Sequence, residues 1–277
     1  MLIQWYPGHM AKAVREMRES VKLVDAVLYV LDSRAIEASM NPKFEPLIER
    51  RRPIYVLNKC DLVNRGDLEL WQKKFKAEGK YFAAVNSASG DTTGVIAALS
   101  EAMSDKVEKY AAKGVDKTIR AMVVGVPNSG KSTLINSLCG KKKTATGDRP
   151  GVTRGRQWVG VDKNIELLDT PGTLWASFDN AEHALDLAFI GSIRDDILDT
   201  AELACELIKK LISIAPGEFL SRYAVDISKP PHLILEDIAA LRGFIKKGGA
   251  ADIDRAAKAV LDDFRKGRTG KIMLEKP

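Results

Sequence analysis

Cysteine is scarce in this sequence: Cys60, Cys139 and Cys205 are the only three in 277 residues, and none has the paired spacing of a metal site. A disulfide framework is therefore excluded, and reduced, partly buried thiols are expected. Long apolar runs are also lacking, since no stretch approaches the ~18 residues that a membrane-crossing helix needs. The N-terminus, MLIQWYPGHMAKAV, lacks the charged, apolar, small-residue order of a secretory leader, so a cytoplasmic protein without membrane attachment is expected. Internal repeats and low-complexity tracts are absent, and the composition lies far from the disordered and fibrous extremes.

What is present is an ordinary globular balance, 45% hydrophobic and 29% charged residues. Single cores stop growing near ~250 residues, so a chain of 277 more comfortably holds two domains. The formal net charge is +6, unevenly spread: residues 1–179 hold 28 Lys+Arg against 21 Asp+Glu, whereas residues 180–277 hold 15 against 16. This excess permits polyanion binding without requiring it. Of two basic runs, ERRRP at 49–53 reads as solvated charge, whereas GKKKTATGDRPGVTRGR at 140–156 adjoins a phosphate-site motif.

Short runs rich in Val, Ile, Leu and Tyr at Ala26–Leu31, Pro53–Leu57, Tyr81–Val85, Thr118–Val124 and Ile165–Leu168 read as strands buried on both faces. Helical spacing lies between several of them, which predicts an α/β domain with a largely parallel sheet over residues 1–178. Within it, residues 104–117 are the best candidate for a connecting segment. Beyond 179 the pattern becomes helical. Leu203, Leu207 and Leu211 repeat after the cap-like DTAE, with Pro216-Gly217 as the expected stop. Further helices are expected from about Leu233 to Lys247 and from about Asp252 to Lys266, giving an all-helical domain over 179–277.

GVPNSGKS, Gly125 to Ser132, fits G-x-x-x-x-G-K-[ST] between the strand TIRAMVV and a helical STLINSL, the context that this phosphate loop requires. Backbone N–H groups of Asn128, Ser129, Gly130, Lys131, Ser132 and Thr133 would cradle phosphates. Lys131 would reach the β and γ oxygens, and the Ser132 hydroxyl would ligate Mg²⁺. LLDTPG, Leu167 to Gly172, supplies Asp169 to hold Mg²⁺ through water and the Gly172 N–H for a γ-phosphate. Between these motifs, Thr153 in GDRPGVTRG is the candidate switch threonine, a ligand of Mg²⁺ only while the γ-phosphate is present.

IYVLNKCDLV carries N-K-x-D directly after the strand Pro53–Leu57. Asp61 would accept from the ring N–H and exocyclic amine of guanine, which adenine cannot offer, so GTP is the expected nucleotide. The Lys59 stem would lie along the base plane and Asn58 would brace the loop. VNSASG follows the next strand and places Ser87, Ala88 and Ser89 beside the base, with the Ala88 N–H directed at the guanine carbonyl oxygen. The base-reading motifs thus precede the phosphate loop. A parallel sheet gathers its loops at one edge whatever the strand order, so the reversal reads as a circular permutation.

The order NKxD, SAS, GxPNxGKS, Thr, DTPG, together with WYPGHMAKA at the N-terminus and a helical C-terminal region, resembles the circularly permuted GTPases, and among them the bacterial ribosome biogenesis GTPase A group. The resemblance spans the whole chain. It implies GTP hydrolysis with Mg²⁺ by a factor that binds the maturing large ribosomal subunit, contacting ribosomal RNA and ribosomal proteins, and a C-terminal RNA-binding helical bundle. A monomer off the ribosome is expected. Many small GTPases place a water-orienting glutamine after the DxxG glycine. Here Thr173 follows, and the family's hydrophobic residue is absent too. His9, on a Pro-Gly turn, reads from the sequence either as a helix-capping or RNA-contacting residue or as the water-orienting group; the resemblance implies the latter, and with Lys131 and Thr153 it completes the catalytic set. Asn128 corresponds to the residue that helps bind K⁺ in similar GTPases. The cations of RTGK at 268–271, with Lys246, Lys247, Arg265 and Lys266, are candidates for phosphate contacts. Two rival classes remain at this level: a GTP-dependent switch that recruits a protein partner, and a P-loop ATPase or kinase, which Asp61 disfavours.

Overall fold

The structure is a computed structural model that describes residues 15, 17–41, 45–140, 157–169, 180–193 and 198–277. β1 (Ala26–Asp32) is AVLYVLD, buried along its whole length, because it is a central strand packed on both faces. Its alternation divides the core. Val27, Tyr29 and Leu31 enter one hydrophobic cluster, while Ala26, Leu28 and Val30 enter another on the opposite face. The remaining strands are β2 (Pro53–Asn58), β3 (Tyr81–Val85), β4 (Ile119–Gly125), β5 (Gln157–Asp162) and β6 (Ile165–Asp169). They form a six-stranded sheet in the order β3-β2-β1-β4-β6-β5, parallel throughout except for the antiparallel β5–β6 pair. The mixed α/β architecture with a mostly parallel sheet is as expected, and each expected strand is found.

β5 was not expected. It lies at the sheet edge, and Trp158, Val159 and Val161 are only half-buried, so it lacks the continuous apolar signature of the inner strands.

Among the described residues, the helices that position the sites, with short helical turns between them, are α1 (Ile36–Ser39), α2 (Glu45–Ile48), α3 (Arg65–Ala77), α4 (Thr93–Ala111), α5 (Lys131–Cys139) and α6 (Ala181–Phe189). α3 covers one face with Trp71 and Phe75, and α4 and α5 cover the other with Val95, Leu99, Leu134 and Leu138. α4 absorbs residues 104–111 of the expected connecting segment, since no helix breaker occurs before Gly114; only residues 112–118 link it to β4.

The C-terminal region is helical, in α7 (Thr200–Ile214), α8 (Pro216–Tyr223), α9 (Pro231–Leu241) and α10 (Ile253–Arg265). Asp199 caps α7 by accepting from the N–H groups of Ala201 and Glu202 at 2.9 Å each. Two boundaries differ from expectation. Pro216 does end α7, but it also starts α8 at the first helical position, where a missing N–H costs nothing. α9 stops at Leu241 because Gly243, at φ +64°, takes the left-handed turn that ends a helix. Gly248 and Gly249 instead turn a small hairpin closed by the Ile245–Ala251 bridge.

The expected boundary at 178/179 lies outside the described residues. On either side of it, one hydrophobic cluster runs from the sheet face through α6 into Leu203, Leu207, Leu211 and Phe264. The C-terminal tail closes this junction. Leu274 N–H donates to the Arg34 carbonyl at 2.7 Å, and the Glu275 carboxylate accepts from the N–H groups of Glu37 and Ala38 at 2.6 and 2.8 Å. Burial, reinforced by the Asp186 and Glu37 carboxylates, pushes Glu275 up to about 7, against the pull of its two backbone donors. A carboxyl raised in the folded state contributes stability that is present below its ordinary range and lost as pH rises through the folded value. The thermal midpoint is therefore expected to fall between about pH 6 and pH 8 by more in the wild type than in Glu275→Gln, measured by circular dichroism.

Candidate functional site: three loops at one edge of the sheet

The C-terminal ends of β2, β3 and β4 carry the three motifs. β4 ends at Gly125 with φ +154°, and a Cβ there would strike the Val30 carbonyl oxygen. The chain then turns through Asn128, at φ +58°, and Gly130, at φ +95°, into α5. A Cβ on Gly130 would strike the Asn58 side-chain nitrogen, so glycine is required by a close approach as well as by its dihedral. Lys131 folds its ammonium into the loop, donating to the carbonyls of Gly125 and Val126 at 2.9 and 2.7 Å. Ser132 and Thr133 are exposed at the start of α5, beside the N–H groups of its first turn. Ser129 is fully buried, and its hydroxyl has no hydrogen-bond partner among the described residues.

Asn58 joins the loops. Its Nδ2 donates to the Ser129 carbonyl at 2.7 Å, and its Oδ1 accepts from the Ser87 N–H and hydroxyl at 3.0 and 2.8 Å. Ser137 of α5 donates to the Ser87 carbonyl at 2.6 Å, a second tie between the SAS turn and the helix after the phosphate loop. Next to Asn58, Lys59 takes the left-handed conformation at φ +58°, and a short 3-10 turn (Cys60–Leu62) leaves Asp61 exposed. The Lys59 ammonium is anchored by Asp32 Oδ2 at 2.8 Å and the Asn128 carbonyl at 2.5 Å. In the SAS turn, the Ala88 N–H, expected to be directed at guanine, donates to Asn86 Oδ1 at 2.9 Å, and the Ser89 hydroxyl donates to the Asn86 carbonyl.

The structure thus brings together Asn58, Lys59, Asp61, Ser87, Ala88, Ser89 and Asn128 through Thr133. β6 pairs with β4 in parallel, Met122 opposite Leu168, so Asp169 ends its strand at this same edge. His9, Thr153, Gly172 and Thr173 lie outside the described residues. The sequence reading missed Asp32 and Arg34, which sit in LDSR at the end of β1; two charged residues closing an entirely apolar strand were the available signal. It also missed that Asn128 Nδ2 donates to the Gly191 carbonyl at 2.6 Å and Ser192 to that of Pro127 at 2.8 Å, ties from the phosphate loop to the segment after α6.

The cations expected to meet RNA are largely paired. Arg265 donates to the Phe189 and Ala188 carbonyls; Arg268 pairs with Asp262 and Asp263; Lys266 pairs with Asp262 and Lys246 with Asp254. Arg265 in particular is a junction residue between α10 and α6.

A family model described as 50S ribosome-binding GTPase matches residues 120–237. With that match, the strand order and the three loops define a circularly permuted P-loop GTPase. Ribosome biogenesis GTPase A of Bacillus licheniformis is 39% identical over 280 residues, covering 100% of this chain and 99% of that one. The protein of the same name from Thermotoga maritima is 31% identical, covering 99% and 95%. GNP-bound YlqF from T. maritima superposes with a TM-score of 0.69 at 28% identity, covering 96% of this chain and 98% of that one. The chain belongs to the ribosome biogenesis GTPase A family. It binds and hydrolyses GTP and acts in ribosome assembly. No helix among the described residues is long and apolar enough to cross a membrane.

Replacing Asn58 by Ala would leave the buried Ser87 N–H and the Ser129 carbonyl without their partners, at about 1–3 kcal/mol for each group. Asn58→Ala is expected to lower denaturant stability by at least ~1 kcal/mol and to weaken both GDP and GTP binding, as measured by chemical denaturation and nucleotide titration.

Proposed function

We propose that this GTPase acts late in maturation of the large ribosomal subunit, docking on its rRNA and proteins in the cytoplasm and hydrolysing GTP there, and that it is a monomer off the ribosome. The nucleotide lies across the sheet edge. The observation that carries this placement of the nucleotide is the Asn58 carboxamide, which holds the phosphate loop and the SAS turn at hydrogen-bond distance from one side chain; the ribosomal role is supported by the names of the relatives. Asp61, exposed beside it, selects guanine through the donor pair that adenine lacks, and the Ala88 N–H exchanges Asn86 for the guanine oxygen.

The amides from Asn128 to Thr133 cradle the phosphates, and Lys131 moves from the loop carbonyls to the β and γ oxygens. The residues present fit Mg²⁺: Ser132 presents an exposed hydroxyl at the start of α5, and Asp169 ends the strand that pairs with β4. Ser132, Thr153 and, through water, Asp169 would hold the ion, which would supply positive charge against the transferring phosphoryl group. Gly172 contacts the γ-phosphate, and with Thr153 it senses whether that group is present. Asn128 uses its amide nitrogen on the Gly191 carbonyl, and its side-chain oxygen would be the group to hold K⁺. His9 orients the attacking water in place of the glutamine that this chain lacks. Residues 1–178 form the nucleotide domain, and residues 179–277 form a helical domain that contacts RNA.

Salt-sensitive co-sedimentation tests the ribosomal reading: the protein with a non-hydrolysable GTP analogue is expected to pellet with large subunits, and failure to pellet would favour a switch that recruits a protein partner. Asp61→Asn replaces an acceptor with a donor. It is expected to lower GTP affinity by at least tenfold and to raise affinity for xanthosine triphosphate, whose base presents a carbonyl there. His9→Ala is expected to leave nucleotide affinity intact while nearly abolishing subunit-stimulated turnover; an unchanged stimulated rate would remove His9 from the mechanism.

A further inference from the structure

Asp32 and Arg34 are charged side chains only 0% and 1% exposed, at the end of the most buried strand. Charges are tolerated there only in well-made pairs. The pair is bidentate: Arg34 Nε donates to Asp32 Oδ1 at 2.9 Å and Nη2 to Oδ2 at 2.7 Å, with the Arg34 N–H adding a third bond to Oδ1 at 3.1 Å. Burial alone would raise the Asp32 carboxyl, but Arg34 and Lys59 outweigh it and hold the group well below the usual carboxylate range. Asp32 is therefore a permanent anion at the root of the nucleotide site.

Each end of this pair reaches a different part of the molecule. On one side, Oδ2 accepts from the Lys59 ammonium. On the other, Arg34 Nη1 donates to the carbonyls of Arg265 at 3.0 Å and Phe264 at 3.4 Å, in the last turn of α10, and the guanidinium lies 5.4 Å from the Phe264 ring centre. Helix C-terminal carbonyls lack partners within the helix, so Arg34 caps α10 from another element. The second acceptor of Lys59, the Asn128 carbonyl, belongs to the residue whose side chain reaches Gly191. The ammonium of Lys59 thus rests on two groups, one continuing through Arg34 into α10 and the other to the segment after α6. A long side chain that must lie flat against a purine needs its far end fixed, because a free ammonium would leave the stem to sample many rotamers.

We propose that Asp32 is the positioning residue for Lys59, and that the buried Asp32–Arg34 pair couples guanine occupancy of the site to the seating of α10 on the sheet domain. The proposal rests on the reading of the NKCD loop as the base-reading loop. Coupling of this kind is reciprocal: nucleotide tightens the α10 contact by the same factor by which that contact tightens nucleotide binding.

The test uses the full chain. In the wild type, GDP is expected to slow hydrogen exchange at the Lys266, Gly267 and Arg268 amides, whose N–H groups bond the Asp262, Phe264 and Asp263 carbonyls, by at least about fivefold. Arg34→Lys keeps a cation on Asp32 but cannot span to both α10 carbonyls, and it is expected to abolish the GDP-dependent slowing. Asp32→Asn is expected to reduce the ratio of GDP to ADP affinity by at least about fivefold, whereas a merely structural defect would lower both affinities alike. Because Asp32→Asn leaves the buried Arg34 and the half-buried Lys59 cations without their shared anion, the neutral pair Asp32→Asn with Arg34→Gln is measured beside it and should show the same narrowed ratio. An unchanged ratio in both variants, or GDP-dependent slowing that persists in Arg34→Lys, overturns the proposal. Asp61→Asn separates the two levels: if it leaves guanine selectivity unaltered, the base-loop reading itself fails, and if it alters selectivity while the Asp32 variants do not, only the relay fails.

Discussion

Asn58 is a carboxamide buried at the end of β2, and both of its polar ends are used. One end holds the phosphate loop by the Ser129 carbonyl and the other holds the SAS turn by Ser87. Three loops from separate strands therefore have a common origin, fixed by geometry that neither a shorter nor a charged side chain would reproduce. Gly130 follows from it, because any side chain there would occupy the space of the Asn58 amide.

The order of the motifs along the chain is secondary to this convergence. Parallel strands deliver their C-terminal ends to one edge, so β1-β2-β3 and β4-β6 build the site whichever half is translated first. What the permutation changes is the exit from the domain: the chain leaves the DTPG segment toward the C-terminal helices instead of toward another strand. Those helices are not an appendage. They share a hydrophobic cluster with the sheet, Arg34 caps α10 and Glu275 caps α1. Several cations that look from the sequence like an RNA-binding surface are held in this packing and its flanking ion pairs. The Arg265 guanidinium contacts α6, and Arg268 neutralises the buried Asp263.

The inner strands were legible because burial on both faces writes a continuous apolar run, as in AVLYVLD. β5 was not, because an edge strand half-exposed to water has no such run. The end of α9 was misplaced for a related reason: Gly243 and Gly248-Gly249 are equally good stops in sequence, and the left-handed turn at the first was decided by the hairpin it leads into. Pro216 marks a helix end in sequence although the same ring also favours a helix start, and the packing of Phe219 and Tyr223 shows that it begins α8. At the site, the loop residues were identified by spacing and flanking strands. Asp32 and Arg34 were not, because their one local signal, charge closing an apolar run, is shared by a polar turn and does not show that the pair is buried.

The sequence by itself determined the motifs: N-K-x-D and SAS after two strands, G-x-x-x-x-G-K-S between a strand and a helix, and the inverted order of the two groups. These depend on residue type at short spacing, which local backbone geometry converts into a fixed arrangement. Tertiary structure alone decided which side chains hold those loops together and which charges are buried. Asn58 meets Ser129 across 71 residues, and Arg34 meets Arg265 across 231. Contacts at such separations exist only after the sheet and helices have packed, and a buried charge is stable only where that packing supplies its partner.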